Sequence, residues 1–191
     1  MSVYLIRHGQ TDWNKNGIVQ GRYDVPLNEK GREQAREARE LVKDVPFAKC
    51  YCSPLIRAVE TANIVLEGRD VPIVYDDRLV EMAYGDYEAT NWLAPDYQAA
   101  RRRIAYRYKG GENYLDVAFR AYSFLEEIKA EGKEKEILLV CHGGIGRVIN
   151  SYFIDEVDND GFIDNLCPNG GVRKYDYVDR NLPPIMPLPK D

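Results

Sequence analysis

Two short, uninterrupted apolar runs stand out along the chain: Val3-Tyr4-Leu5-Ile6, and Ile137-Leu138-Leu139-Val140-Cys141. Runs of this length and composition predict strands buried on both faces. Strands are expected over Val3–Arg7 and Glu136–Cys141. A third is expected over Ala48–Cys52, stopped by Ser53-Pro54, and a short fourth over Pro72–Tyr75. Between them the apolar period lengthens to that of a helix. Asn28–Lys43 carries Ala35, Ala38, Leu41 and Val42 at helical spacing. Leu55–Leu66 carries Ala58, Ala62, Ile64 and Val65, and Gly68 ends it. Tyr114–Ala130 carries Val117, Ala118, Ala121, Leu125 and Ile128, and a further helix follows over Gly144–Phe153. Gly171–Tyr177 alternates in the manner of a late strand.

Alternating strands and helices predict an α/β fold: a three-layer sandwich with a largely parallel central sheet and helices on both faces. The length fits a single domain over residues 1–191. The segment from about Gly85 to Gly111 interrupts the alternation. It is rich in aromatic and basic residues, including Tyr87, Trp92, Tyr97, Arg101, Arg102 and Arg103. It reads as an insertion projecting over the carboxyl edge of the sheet. The stretch from Leu182 is proline-rich and reads as an extended tail.

Composition narrows the class. A chain this long buries roughly 70% of its unfolded surface and needs no covalent staples. The net charge of −5 disfavours a nucleic-acid partner. No run approaches the roughly 20 apolar residues of a membrane span. The beginning runs straight into a strand with no leader pattern, so a cytoplasmic location is expected. Cys50, Cys52, Cys141 and Cys167 lack zinc-site spacing and read as reduced thiols. The oligomeric state is not legible in these features.

The chain has only two histidines. His8 falls just past the first apolar run and His142 just past the second, each immediately before glycine. In open α/β sheets, ligands bind outside the carboxyl ends of the strands. Arg7 lies beside His8. Arg57 follows Ser53-Pro54 in the first turn of a helix, and Glu81 follows the short strand at Pro72–Tyr75. Taken singly, each has an ordinary reading: a hydrogen-bonded surface histidine, a helix-surface arginine, a solvated carboxylate. Two arginines, two histidines and one carboxylate delivered to one edge point instead to phosphate chemistry. A phosphoryl group in transfer spreads negative charge over its oxygens, and the planar guanidinium fork matches that charge. An imidazole held neutral by nearby cations is a nucleophile, and a carboxyl group can serve as acid and then base.

The ordered motifs resemble those of the histidine phosphatase superfamily, in its phosphoglycerate mutase-like branch. Arg7-His8-Gly9-Gln10-Thr11-Asp12-Trp13-Asn14 resembles the family's R-H-G-x-T-x-x-N. Ser53-Pro54-Leu55-Ile56-Arg57-Ala58-Val59-Glu60-Thr61-Ala62 resembles S-x-L-x-R-A-x-x-T-A. Glu81, Gly85 and Glu88 resemble E-x-x-x-G-x-x-E. Gly110-Gly111-Glu112 resembles part of G-G-E-S, and Val140-Cys141-His142-Gly143 resembles V-S-H-G. The resemblance extends to about Tyr177. It implies His8 as the nucleophile that becomes phosphohistidine, Arg7, Arg57 and His142 as the phosphate pocket, and Glu81 as the proton donor. It further implies Asn14, Gln20, Gly21 and Gly143 as pocket and substrate contacts, and no metal or organic cofactor. Three positions depart from the pattern: Cys141 and Asn113 where serine is common, and Ala89 where glycine often stands.

The leading expectation is therefore a metal-independent phosphatase acting on a small phosphomonoester. A phosphoglycerate mutase is the alternative. Tyr84 occupies a position similar to one that contacts substrate in mutases, and the inserted arginines suit a carboxylate. A non-catalytic binder of phosphoryl ligands is the third reading, disfavoured because binding alone needs neither nucleophile nor acid.

Overall fold

The strands expected around the two apolar runs are present and adjacent in a computed structural model that describes residues 1–131, 136–154 and 158–178. In chain order the elements are β1 (Ser2–Arg7), α1 (Asp12–Lys15), α2 (Glu29–Val42), β2 (Phe47–Cys52), α3 (Ile56–Val65), β3 (Ile73–Tyr75), α4 (Pro95–Arg101), α5 (Tyr114–Glu131), β4 (Glu136–Cys141), α6 (Gly143–Phe153), α7 (Asn159–Asp164) and β5 (Val172–Asp176). The sheet order is β3-β2-β4-β1-β5. β5 alone runs antiparallel, paired on the edge of β1. The two short helices α1 and α7 were not expected, being too brief to leave a helical period.

Strand alternation sorts the core into two layers. Val3, Leu5, Ile137, Leu139 and Cys141 pack beneath α5 and α6, with Val117, Phe124, Ile145 and Ile149. Ile6, Cys50, Cys52, Leu138 and Val140 face the other way, against Ala38 and Val42 of α2 and Ala58 and Ala62 of α3. Both faces of these central strands thus meet helices, which is why the sequence shows runs rather than alternation. Leu41 departs from expectation and is 72% exposed. It sits roughly 100° around α2 from Val42, outside the stripe of Gly31, Ala35, Ala38 and Val42 that is buried. The four cysteines are buried and unbridged. No helix among the described residues is long and apolar enough to cross a membrane. The proline-rich stretch from Leu182 lies outside the described residues.

One feature of the topology positions the site. From β1 the chain crosses by α2 toward β2 on one face, whereas from β4 it crosses by α6 toward β5 on the other. The crevice beyond the paired ends of β1 and β4 is therefore a topological switch point. Arg7 and Cys141 are partners at the end of that ladder, so His8 and His142 leave the sheet side by side.

Candidate active site

His8 is almost wholly buried, and its surroundings fix both ring and backbone. The His8 amide donates to the Cys141 carbonyl at 3.0 Å, and Asn169 Nδ2 donates to the His8 carbonyl at 3.0 Å. His8 Nδ1 lies 2.7 Å from the Gly9 carbonyl. A carbonyl only accepts, so Nδ1 carries the proton and Nε2 the lone pair. The next turn packs tightly: a Cβ on Gly9 would stand 2.2 Å from the Gly31 carbonyl of α2. Thr11 and Asn14 close a capping box at the start of α1, which places Asn14 in the wall of the same cavity.

Arg57 is 1% exposed, yet its charge is well housed. Its Nη1 donates to the Tyr23 carbonyl at 2.7 Å and its Nη2 to the Gly21 carbonyl at 2.9 Å. Its Nε donates to His142 Nδ1 at 3.2 Å. His142 Nδ1 is therefore the acceptor, and Nε2–H donates to Ser53 Oγ at 2.7 Å. The two imidazole centroids are 5.1 Å apart. Arg57 keeps N–H groups beyond these bonds, and Arg7 Nε is buried without a partner among the described residues. Gln20 Oε1 is likewise buried and unpartnered. Such atoms are costly unless something else satisfies them.

Glu81 reaches the N-terminus of α6. Its carboxylate accepts from the amides of Gly144 at 3.0 Å and Ile145 at 3.1 Å, and from its neighbour Met82 at 2.8 Å. Gly144 is required for this approach: a Cβ there would stand 2.6 Å from Glu81 Oε1 and 2.5 Å from the Tyr84 hydroxyl. At Gly143 a Cβ would press on Leu166 Cδ1 at 3.0 Å, while meeting the Arg7 guanidinium at an ordinary contact distance of 3.4 Å.

These residues line a cavity of about 390 Å³, a size suited to a small molecule. Arg7, His8, Asn14, Gln20, Gly21, Arg57, Glu81, Tyr84 and Gly143 all contribute to its wall. His142 does not line it and sits behind Arg57, against His8. Burial, reinforced by Arg57 and then Arg7, holds the His8 imidazole well below its ordinary pKa. Burial and Arg57 do the same to His142. Burial brings Arg57 down to about 10 against the opposing pull of Glu81, so it stays cationic at neutral pH. Burial pushes the Tyr84 hydroxyl up, with Glu81 adding to the effect. The cavity thus pairs a neutral imidazole with fixed guanidinium charge.

Residues 3–182 match the family model of the histidine phosphatase superfamily, branch 1. The chain belongs to this superfamily. A probable phosphatase of Schizosaccharomyces pombe is 38% identical over 160 residues, covering 82% of this chain and 75% of that protein. A 2,3-bisphosphoglycerate-dependent phosphoglycerate mutase of Gloeobacter violaceus is 38% identical over 159 residues, covering 77% and 73%. Among solved structures, the alpha-ribazole phosphatase from Shigella flexneri superposes with a TM-score of 0.82 at 28% identity, covering 93% of this chain and 91% of that one.

The three departures of this chain from the family pattern have local accounts. Cys141 is buried beneath α5 and α6. Asn113 accepts from the Asp116 amide at 2.8 Å and donates its own amide back to that carboxylate at 2.9 Å, a reciprocal cap at the start of α5. Ala89 adopts φ of 64°, a left-handed conformation that favours glycine.

Several residues of the site had no assigned role in the sequence reading. Arg147, Tyr114 and Gly144 line the cavity, and Ser53 holds His142. Thr61 Oγ1 accepts from the Gly9 amide at 3.1 Å. Ser53 and Thr61 fall inside the second motif, so their positions were visible although their partners were not. Of the arginine run, Arg101 lines the cavity. Arg102 instead pairs with Asp160 at 2.8 Å, and Arg103 lies over the Tyr106 ring.

Proposed function

We propose that this protein is a metal-independent phosphatase of small phosphomonoesters that works through a phosphohistidine on His8. The observation that carries the reading is the His8 tautomer: Nδ1 is committed to the Gly9 carbonyl, leaving Nε2 as the lone-pair nitrogen in a cavity with Arg7, Arg57 and Glu81. His8 Nε2 attacks phosphorus, forming the N–P bond as the bond to the ester oxygen breaks. Glu81 delivers a proton to that departing oxygen. Water then attacks the phosphohistidine, Glu81 takes its proton, and the N–P bond breaks to release phosphate. Arg7 and Arg57 supply the positive charge for the equatorial oxygens in both steps. His142 supports this by holding Arg57 Nε, and Asn14 and Gln20 contact the bound group.

Beyond the phosphoryl site, Arg101, Arg147, Tyr84, Tyr97 and Tyr114 belong to the same wall. Four arginines and one carboxylate residue line it. That balance favours an ester whose alcohol carries a second acidic group, as in glucosyl-3-phosphoglycerate, named as substrate of a phosphatase of Mycolicibacterium vanbaalenii that is 33% identical. The same surplus of charge favours, as second reading, a mutase returning the phosphoryl group to a sugar acid. The segment 85–111 serves as the lid of a single domain, and buried, reduced cysteines fit work in the cytoplasm.

The test is phosphate release from a panel of phosphomonoesters, with chelator present and His8→Ala in parallel. Chelator-resistant release that disappears in His8→Ala is expected. Release retained by His8→Ala contradicts the assignment, and isomer interconversion without release selects the mutase.

A further inference from the structure

Glu81 stands in a loop whose backbone on both sides is tied to α5 and to Glu112 just before it. Arg120 Nη1 donates to the carbonyl of Arg78 at 2.6 Å and to that of Val80 at 2.8 Å. Glu112 accepts from the Ala83 amide at 2.8 Å, and the Glu112 amide donates to the Ala83 carbonyl at 2.9 Å. The two side chains are themselves locked together by a double contact, Nε to Oε1 at 2.9 Å and Nη2 to Oε2 at 3.2 Å. Both are largely buried, at 15% and 18% exposure. Burial opposes the Glu112 charge, but the Arg120 hydrogen bond and the Ala83 amide hold its carboxyl below its ordinary pKa. Neither residue lines the cavity.

We propose that Glu112 and Arg120 are a positioning pair for the proton donor, acting through the backbone of residues 78–83 to fix where the Glu81 carboxyl lies. The proposal rests on the reading of Glu81 as that donor. The physical argument is one of precision. A guanidinium paired to a carboxylate in two places is geometrically stiff, and it grips the loop at Arg78, Val80 and Ala83, leaving Glu81 little room to shift. Proton transfer in the transition state requires hydrogen-bond reach, and small misplacements are amplified in rate. A pair serving stability alone would not distinguish one substrate from another.

The test exploits the leaving group. Glycerol phosphate releases an alkoxide that needs a proton, whereas p-nitrophenyl phosphate releases a stable phenolate that does not. The variants are Arg120→Gln, Arg120→Lys, Glu112→Gln and, as reference, Glu81→Gln, each with its melting temperature recorded. Loss of kcat/KM on glycerol phosphate by roughly tenfold or more is expected for Arg120→Gln, with a several-fold smaller loss on the aryl ester and little change in KM. Partial recovery is expected in Arg120→Lys. If Arg120→Gln does not fold, Glu112→Gln, which retains an oxygen for the Ala83 amide, carries the same comparison. Equal losses on both esters, while Glu81→Gln shows the leaving-group split, overturn the positioning role and leave the proton donor intact. Absence of the split in Glu81→Gln overturns the donor reading and the proposal with it.

Discussion

His8 and His142 lie with their ring centroids 5.1 Å apart, in contact though 134 residues apart in sequence. Both are buried beside Arg57, and burial followed by that charge lowers both pKa values well below the ordinary range. The unfolded chain binds their protons near pH 6.5, while the folded protein resists them. Stability contributed by the neutral rings is therefore complete above about pH 6.5 and is lost as pH falls toward the folded values. The expected slope approaches about 1.4 kcal/mol per pH unit for each histidine. Urea unfolding of the protein and of His142→Gln across pH 5 to 7.5 measures it; the variant should show the shallower acid limb.

Gly144 is the point where α6 touches both Glu81 and Tyr84. Gly144→Ala places a methyl group 2.6 Å from Glu81 Oε1 and must displace the carboxylate, the tyrosine or the helix. Overpacking of this kind costs about 1–3 kcal/mol. A fall in kcat larger than the change in stability implies is expected, measured by phosphate release beside a melting curve.

Ala89 is the non-glycine residue with positive φ among the described residues. Its amide donates to the Val19 carbonyl at 2.8 Å, tying the segment 85–111 to the strip that carries Gln20. Ala89→Gly relieves the left-handed penalty of about 1–2 kcal/mol and loses part of it to unfolded-chain entropy. A net stabilisation of about 0.5 kcal/mol, with activity unchanged, is expected in thermal unfolding.

Arg101 bears on substrate choice. Arg101→Ala should raise KM for a carboxylate-bearing phosphoester about tenfold, the worth of one hydrogen bond to a charged group. KM for glycerol phosphate, whose alcohol carries no second acidic group, should change little. Steady-state kinetics on the two esters decide it, and equal shifts count against a second acidic group.

The strand-end placement of His8, His142, Arg57 and Glu81 was legible in the sequence because each follows a local signal: an apolar run, a strand-stopping Ser-Pro, a short strand. Their mutual contacts depend on strand order, which no local period encodes. Arg147 was overlooked because it sits one turn into a helix, where an arginine ordinarily faces water. Asn169, from the loop before β5, reaches the His8 carbonyl only because β5 returns antiparallel beside β1. Leu41 misled because a broad apolar stripe, counted along the chain, includes a residue roughly 100° from its neighbour on the helix.

The most direct measurement is to trap the intermediate. Glu81→Gln, mixed with p-nitrophenyl phosphate and quenched in base, should carry one phosphoryl group on the peptide containing His8, and that group should be lost in acid. It should be absent from His8→Ala. Phosphate release by the wild-type protein with no label on His8, or a label that persists in His8→Ala, would contradict the account.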